Sequence, residues 1–396
     1  MTRNPLPDLV AKLPFFIRPK LLLFLSVDIV NSTAFKFSAK HKDDEGDSPF
    51  RYWFSPISSF YRGIEREFFQ KWDNIKKEDK NDFYSENDRP ELWKASGDEL
   101  IYIKKLSHQN EGLFSICVWM ETIKSYRKEI RSKFPILDLK ASAWLAGFPV
   151  NNSEVILRSS LALHATNLDD EEDAHFSNLF LLQKYYSKEE KSTFLGLRDF
   201  LGPSIDTGFR LSSLSTSRKF GITVDLAYLL SVTALVIPPE NFFLKDLKFR
   251  YDGRTFLKGV SNGDPYPFIW LDMEDDDVLH KTEDDMLNSK NIPNSEIRKF
   301  CDLFLSRGEK HGLMKPYIVN DDYIFGEISS IHQQKLERLK NYWESENKKR
   351  NIEQEIEEKS EPKKEKTEEN FKPFFDLIRE KKLDNENKND LNPFDS

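Results

Sequence analysis

Two apolar runs of strand length, each delivering a carboxylate to a turn, constrain this chain more than any other feature. In Lys20-Leu-Leu-Leu-Phe-Leu-Ser-Val-Asp28-Ile-Val-Asn-Ser-Thr33 the apolar run ends at Asp28 and opens into a polar-capped segment. In Glu91-Leu-Trp-Lys94-Ala-Ser-Gly97-Asp98-Glu-Leu-Ile-Tyr-Ile103, Gly97-Asp98 reads as a hairpin turn between two strands, with Gly supplying the positive φ of a tight turn. Taken singly, either Asp reads equally well as a cap or a turn residue. Taken together, two strand-end carboxylates that share a divalent cation are the minimum equipment for metal-assisted phosphoryl transfer.

Composition narrows the alternatives. A chain of 396 residues with 38% hydrophobic residues can bury one large core, while 32% charged residues and a mean hydropathy of -0.62 imply that part of it is not core. The net charge of -8 argues against nucleic-acid binding, which selects dense Lys/Arg faces. Cys117 and Cys301 stand in no metal-ligand spacing, so neither a disulfide framework nor a zinc site is expected, as in a reducing cytoplasm. The apolar run Leu21 to Leu25 is too short for a signal peptide or a membrane span, and the protein reads as soluble, with no membrane partner.

Along the chain, 18–28 reads as a strand, with Asn31 or Ser32 capping a segment through Lys40. Phe50 to Trp72 has helical spacing at Phe54, Ile57, Tyr61, Ile64 and Phe68, and Leu113 to Phe134 reads as a second helix. Leu137 to Leu145 alternates as a strand. Insertions are expected near 40–90 and 148–190, the second with a short helix at Phe176 to Tyr186. Ser204 reads as the cap of a helix running to Lys219, followed by a strand at Gly221 to Val224 and the last strands within 245–271. Residues 274–359 read as a helical extension, with helices at Asn294 to Leu305 and Glu327 to Lys359, and 360–396 as a disordered charged tail.

The Asp-Ile-x-x-Ser strand end and the Lys-x-x-Gly-Asp hairpin resemble the metal-binding elements of class III nucleotidyl cyclases. Further pieces occur in that family's order. Asp199-Phe-Leu-Gly202 with Asp206 and Arg210 resembles its Asp-x-x-Gly…Asn…Arg element, and Lys258-Gly259 resembles its closing Val-Lys-Gly strand. Within the superfamily, Trp93 to Glu99 and Ile205 to Arg210 look most like the Pycsar pyrimidine nucleotide cyclases. The resemblance covers 18–273 and implies an α+β fold with a ferredoxin-like βαββαβ core, preceded by an arm at 1–17. It implies homodimeric conversion of UTP to cyclic UMP and pyrophosphate with two Mn²⁺ or Mg²⁺ ions per site. It also implies a role in anti-phage signalling through a separate cyclic-nucleotide-activated effector. Cytidylate cyclase, adenylate cyclase and a catalytically inactive nucleotide-binding module are the alternatives.

By that resemblance Asp28, Asp98 and the Ile29 carbonyl hold metal, and Arg210 steadies the phosphoryl group in flight, a task suited to a planar guanidinium. Asp206 stands where the family has Asn. A carboxylate accepts hydrogen bonds only, so Asp206 either accepts from a ribose hydroxyl or orients Arg210. An ordinary surface pair between Asp206 and Arg210, four apart on a helix, is the plainer reading. Lys258 matches the triphosphate lysine, against the reading of a solvated edge-strand Lys, and Lys94 and Asp199 match base-reading positions. Tyr52, Trp53, Phe54 and Trp93 are candidates for narrowing a pyrimidine pocket, against the commoner reading of aromatic core.

Overall fold

The structure is a computed structural model that describes residues 10–38, 52–78, 89–157, 173–187, 197–238, 247–274, 276–309, 312–320 and 323–360. The tail expected at 360–396, apart from Ser360, and much of both insertions lie outside the described residues. The chain divides into two compact units, Met1–Asn341 and Tyr342–Ser396.

The first unit is built on a seven-stranded sheet. Its strands are β1 (Lys20–Val30), β2 (Glu91–Ser96), β3 (Glu99–Leu106), β4 (Asp138–Phe148), β7 (Lys219–Ile222), β8 (Phe249–Thr255) and β9 (Tyr266–Asp272), in the order β2-β3-β1-β4-β7-β9-β8. A separate two-stranded sheet pairs β5 (Ser153–Leu157) with β6 (Leu197–Leu201). The helices of this part are α1 (Ser32–Ser38), α2 (Phe54–Glu78), α3 (Gln109–Lys133), α4 (Ala174–Tyr186), α5 (Pro203–Ser212) and α6 (Val224–Val236).

The expected βαββαβ core is present. β1 runs antiparallel to both β3 and β4, and β2 forms a hairpin with β3 at the edge. Helices α1 and α2 connect β1 to β2, and α3 connects β3 to β4, which is the split arrangement of a ferredoxin-like fold. β7, which pairs parallel to β4, carries the sheet onward to β9 and β8.

The period of two along β1 divides its side chains between two cores. Leu21, Leu23, Leu25, Val27 and Ile29 face the larger one, with Ile57, Phe60, Ile64 and Phe68 of α2, Val118 and Ile123 of α3, and Leu226 and Leu230 of α6. Leu22 and Phe24 face the smaller one, with Ile101, Ile103, Trp144, Phe200 and Ile205. Asp28 shares the parity of Leu22, Phe24 and Ser26, so it belongs to the face that, among the described residues, is covered by the short α5 and the β5–β6 sheet. The glycine of α5 explains how that helix lies so close: a Cβ at Gly208 would collide with the Trp144 indole.

Several sequence expectations are revised. The α2 stripe is in register at Ile57, Ile64 and Phe68, but Phe54 is 52% exposed and Phe60 is buried instead. Helix α5 ends at Ser212, well short of Lys219, and its N-cap is Gly202 at φ 141°, with Pro203 in the first turn. Beyond β9 lie α7 (Val278–Leu287), α8 (Asn294–Gly308), a small hairpin of β10 (Ile318–Val319) and β11 (Ile324–Phe325), and α9 (Ser330–Ser360). Of these, α8 and α9 match the helices expected in the extension. α7 is tied to the sheet by Asp284, which with Asp272 receives Arg218 and Arg250 at 2.6–3.4 Å. Among the described residues no helix is long and apolar enough to cross a membrane.

Candidate active site

The end of β1 and the β2–β3 turn meet at one corner of the sheet. Gly97 takes φ +67°, the left-handed conformation required by the turn, which leaves Asp98 facing the end of β1. The backbone N–H of Ile29 donates to the Asp98 carbonyl at 3.3 Å. In extended chain a residue's N–H and C=O point to the same side, so the Ile29 carbonyl also faces this turn. Ile29 thus contributes a backbone oxygen to the corner while its side chain is buried in the larger core.

Asp28 stands directly opposite Glu99 on β3 and opposite Lys140 on β4. The Lys140 ammonium lies 3.0 Å from the Asp28 carboxylate. Burial raises the Asp28 pKa; the bond and charge of Lys140 oppose that shift, and the negative charges of Asp98 and Glu99 reinforce it. Asp98 is held from two sides: the Ser32 hydroxyl donates to its carboxylate, and Lys36 is 3.9 Å away. Ser32, expected as a cap, is the first residue of α1, and its hydroxyl proton goes to Asp98. Ser26 donates to Glu99 at 2.6 Å, and the Tyr61 hydroxyl of α2 donates to the Gly97 carbonyl.

Lys94 and Asp199 come together although they are distant in sequence. Lys94 Nζ lies 3.2 Å from Asp199 Oδ1, joining β2 to β6. A bulge in the β2–β3 register between Leu92 and Lys94 puts Lys94 opposite Ile101, on the same sheet face as Asp28. The same irregularity lets Trp93 pack edge-on against Phe24 and Phe200, at 5.3 and 5.2 Å between ring centroids. Of the four aromatic candidates, then, Trp93 lies beside Lys94. Tyr52 packs on Phe35 and Trp53 on the larger core, across the sheet from Lys94.

Asp206 and Arg210 are both exposed on α5, and no ion pair joins them. The plain surface pair considered from sequence does not form. Asp206 lines a cavity of about 170 Å³ together with Asp225, Gly259 and Tyr266, and burial pushes the Asp225 carboxyl up to about 6. Lys258 was expected in a closing strand; it is exposed in the turn that follows β8, which ends at Thr255. Strand spacing puts β8 about 19 Å across the sheet from β1, four strands away. The structure thus brings Asp28, Ile29 and Asp98 to one corner and Lys94 to Asp199, while Asp206 and Arg210 are exposed on α5 and Lys258 is exposed in the turn beyond β8.

Sequence reading missed Lys140, Lys36 and Glu99. Glu99 adjoins Asp98 and was legible as a third carboxylate, whereas Lys140 is identified only by the β1–β4 register. Among the described residues no group of three or more His, Cys, Asp or Glu side chains is arranged to hold a metal ion. The corner offers two carboxylates and a backbone carbonyl, all hard oxygen donors of the kind Mg²⁺ and Mn²⁺ take. A lysine ammonium already sits against each carboxylate, so these residues suit a cation.

No family model and no curated protein matches this sequence. Among solved structures the chain is similar to the adenylyl cyclase CyaB from P. aeruginosa, with a TM-score of 0.39 and 10% identity over 64% of this chain and 94% of that one. It is also similar to the guanylate cyclase domain of RhGC from Catenaria anguillulae, with a TM-score of 0.35 and 9% identity over 64% and 96%. A likeness of this size carries no weight in assigning a function; the residues of the corner must carry it.

Proposed function

We propose that this protein is a metal-dependent nucleotide cyclase, acting on a pyrimidine triphosphate and preferentially on UTP. The observation that carries this reading is the Ile29 N–H to Asp98 carbonyl bond, which pins the end of β1 to the Gly97 turn and brings Asp28 and Asp98 to one corner. Cyclisation requires no protein nucleophile, because the ribose 3′-hydroxyl attacks the α-phosphorus and pyrophosphate leaves. The protein must hold the substrate in line and neutralise charge as it spreads over the phosphoryl oxygens.

Asp28, Asp98 and the Ile29 carbonyl would hold Mn²⁺ or Mg²⁺. A bound divalent ion supplies neutralisation of the triphosphate and acidification of the hydroxyl. Lys94 and Asp199, on the same face, form a donor and acceptor pair suited to the edge of a base, and Trp93 beside them limits its size. Arg210 steadies the transferring phosphoryl group, Lys258 grips the triphosphate, and Asp206 accepts from the ribose or orients Arg210. Asp206 and Arg210 are exposed on α5 and Lys258 is exposed beyond β8, so all three are open to a second copy, which in this reading completes each site in a C2 homodimer. The product serves as a second messenger in anti-phage defence, read by a separate effector in the cytoplasm.

Incubating the purified protein with Mn²⁺ and each of ATP, GTP, CTP and UTP, with products identified by mass, tests the reading. Cyclic UMP from UTP alone is the expected result. Cyclic CMP or cyclic AMP alone would keep the chemistry and overturn the substrate assignment. Nucleotide binding without any cyclic product would favour an inactive nucleotide-binding module.

A further inference from the structure

The geometry points to Lys140 and Lys36 as built-in counter-cations of the metal corner: we propose that they occupy Asp28 and Asp98 in the nucleotide-free protein and compete with the divalent ion for them. This inference rests on the metal-site assignment above and extends it to two residues outside every motif recognised in the sequence.

Three observations support it. First, Lys140 is fixed in place by the sheet. It sits directly across from Asp28 in the β1–β4 ladder, with its ammonium 3.0 Å from Oδ2. Opposite charges facing each other across antiparallel strands attract in whatever rotamers they adopt, because their Cβ atoms are only about 5 Å apart. Second, the arrangement is repeated on the other carboxylate. Lys36 lies one turn after Ser32 on α1 and reaches to 3.9 Å from Asp98 Oδ1, while the Ser32 hydroxyl takes Oδ2. Third, the charges nearly balance. Asp28, Asp98 and Glu99 bring three negative charges to the corner, and the two ammonium groups return two positive ones, the charge of one divalent ion.

Both pairs are partly open to water, with side chains 26–33% exposed, and exposed ion pairs are weak. The lysines therefore do not bar the metal. They lower its affinity and make its entry depend on something that compensates the added positive charge. A nucleoside triphosphate brings that compensation. The metal is thus expected to arrive with the nucleotide rather than alone.

The test is Mn²⁺ binding to the nucleotide-free protein, followed by electron paramagnetic resonance of free Mn²⁺, with folding checked by circular dichroism. Lys140→Met should tighten Mn²⁺ binding about fivefold, the factor that corresponds to losing an exposed competing pair. Lys36→Met should do the same to a smaller degree, and Lys140→Arg, which keeps the charge, should bind as the wild type does. Folded Lys140→Met with unchanged or weaker Mn²⁺ affinity would overturn the proposal. Failure of the underlying metal assignment reads differently: Asp28→Ala and Asp98→Ala would then bind Mn²⁺ as well as the wild type.

Discussion

Ile29 and Asp98, distant in sequence, are joined by a backbone hydrogen bond of 3.3 Å that fixes where one strand ends relative to the turn of another. The bond sets the spacing of the two carboxylates, because Asp28 precedes Ile29 and the Asp98 side chain leaves the same turn. Substitution of Asp28 or Asp98 by Ala should lower turnover about 10²- to 10³-fold, the scale for losing one preorganised electrostatic group. Thermal melting should hold steady. For Asp28→Asn it should hold or rise slightly, since burial and the neighbouring carboxylates already disfavour the Asp28 anion.

Lys94 and Asp199 predict a binding effect. Lys94→Met should raise KM for the nucleotide about tenfold with little change in kcat, because the pair touches the base and not the reacting phosphorus. Steady-state kinetics on each triphosphate checks this. A fall in kcat at constant KM would place Lys94 at the reacting centre instead.

Gly208 predicts a coupled loss. A methyl group there meets the Trp144 indole, so Gly208→Ala should cost about 1–3 kcal/mol in a denaturant titration. It should also reduce activity beyond the loss of folded protein, because the helix it displaces carries Asp206 and Arg210.

His332 predicts a pH dependence of stability. Its ring is buried between Tyr317 and Met314, with Nε2 2.8 Å from the Tyr317 hydroxyl and Nδ1 3.0 Å from the Met314 sulfur. The neutral ring satisfies both, with Nδ1–H facing the thioether and Nε2 accepting from tyrosine. Burial, aided by Lys335, holds its pKa at about 4, below the usual 6.5. The unfolded chain then binds the extra proton between these values, so stability should fall as pH drops from about 6.5 toward about 4. His332→Gln should flatten that part of the melting-temperature profile.

Arg210 and Asp28 predict complementation. Asp28→Ala and Arg210→Ala proteins, each retaining about a hundredth of the activity or less alone, should recover about a quarter of wild-type activity when unfolded together and refolded as mixed dimers. Half of the dimers would be mixed, with one intact site in two. No recovery would place Arg210 and Asp28 in the same protomer's site.

Much of this arrangement was legible in sequence, for identifiable reasons. β1 and the Gly97 hairpin were readable because alternation, an apolar run and a glycine turn are local signals. The meeting of Lys94 with Asp199 was anticipated only as two separate positions, since their contact depends on how β6 returns over the sheet. Helix α6 went unread because Leu226, Ala227, Leu229, Leu230 and Ser231 are buried on all sides, leaving no polar face to show a period. The end of α5 was misplaced because nothing in the residues from Ser213 onward breaks a helix outright. Lys140 was invisible because a cross-strand partner is identified by register, which no single strand encodes.

Cyclisation at the Asp28–Asp98 corner is tested most sharply by the stoichiometry of the products formed with Mn²⁺ from the preferred triphosphate, measured by mass spectrometry and a pyrophosphate assay. One cyclic nucleotide should appear for each pyrophosphate released, with both lost in Asp28→Ala. Release of a nucleoside diphosphate and inorganic phosphate would contradict a cyclase, showing that water and not the ribose hydroxyl is the nucleophile at this corner.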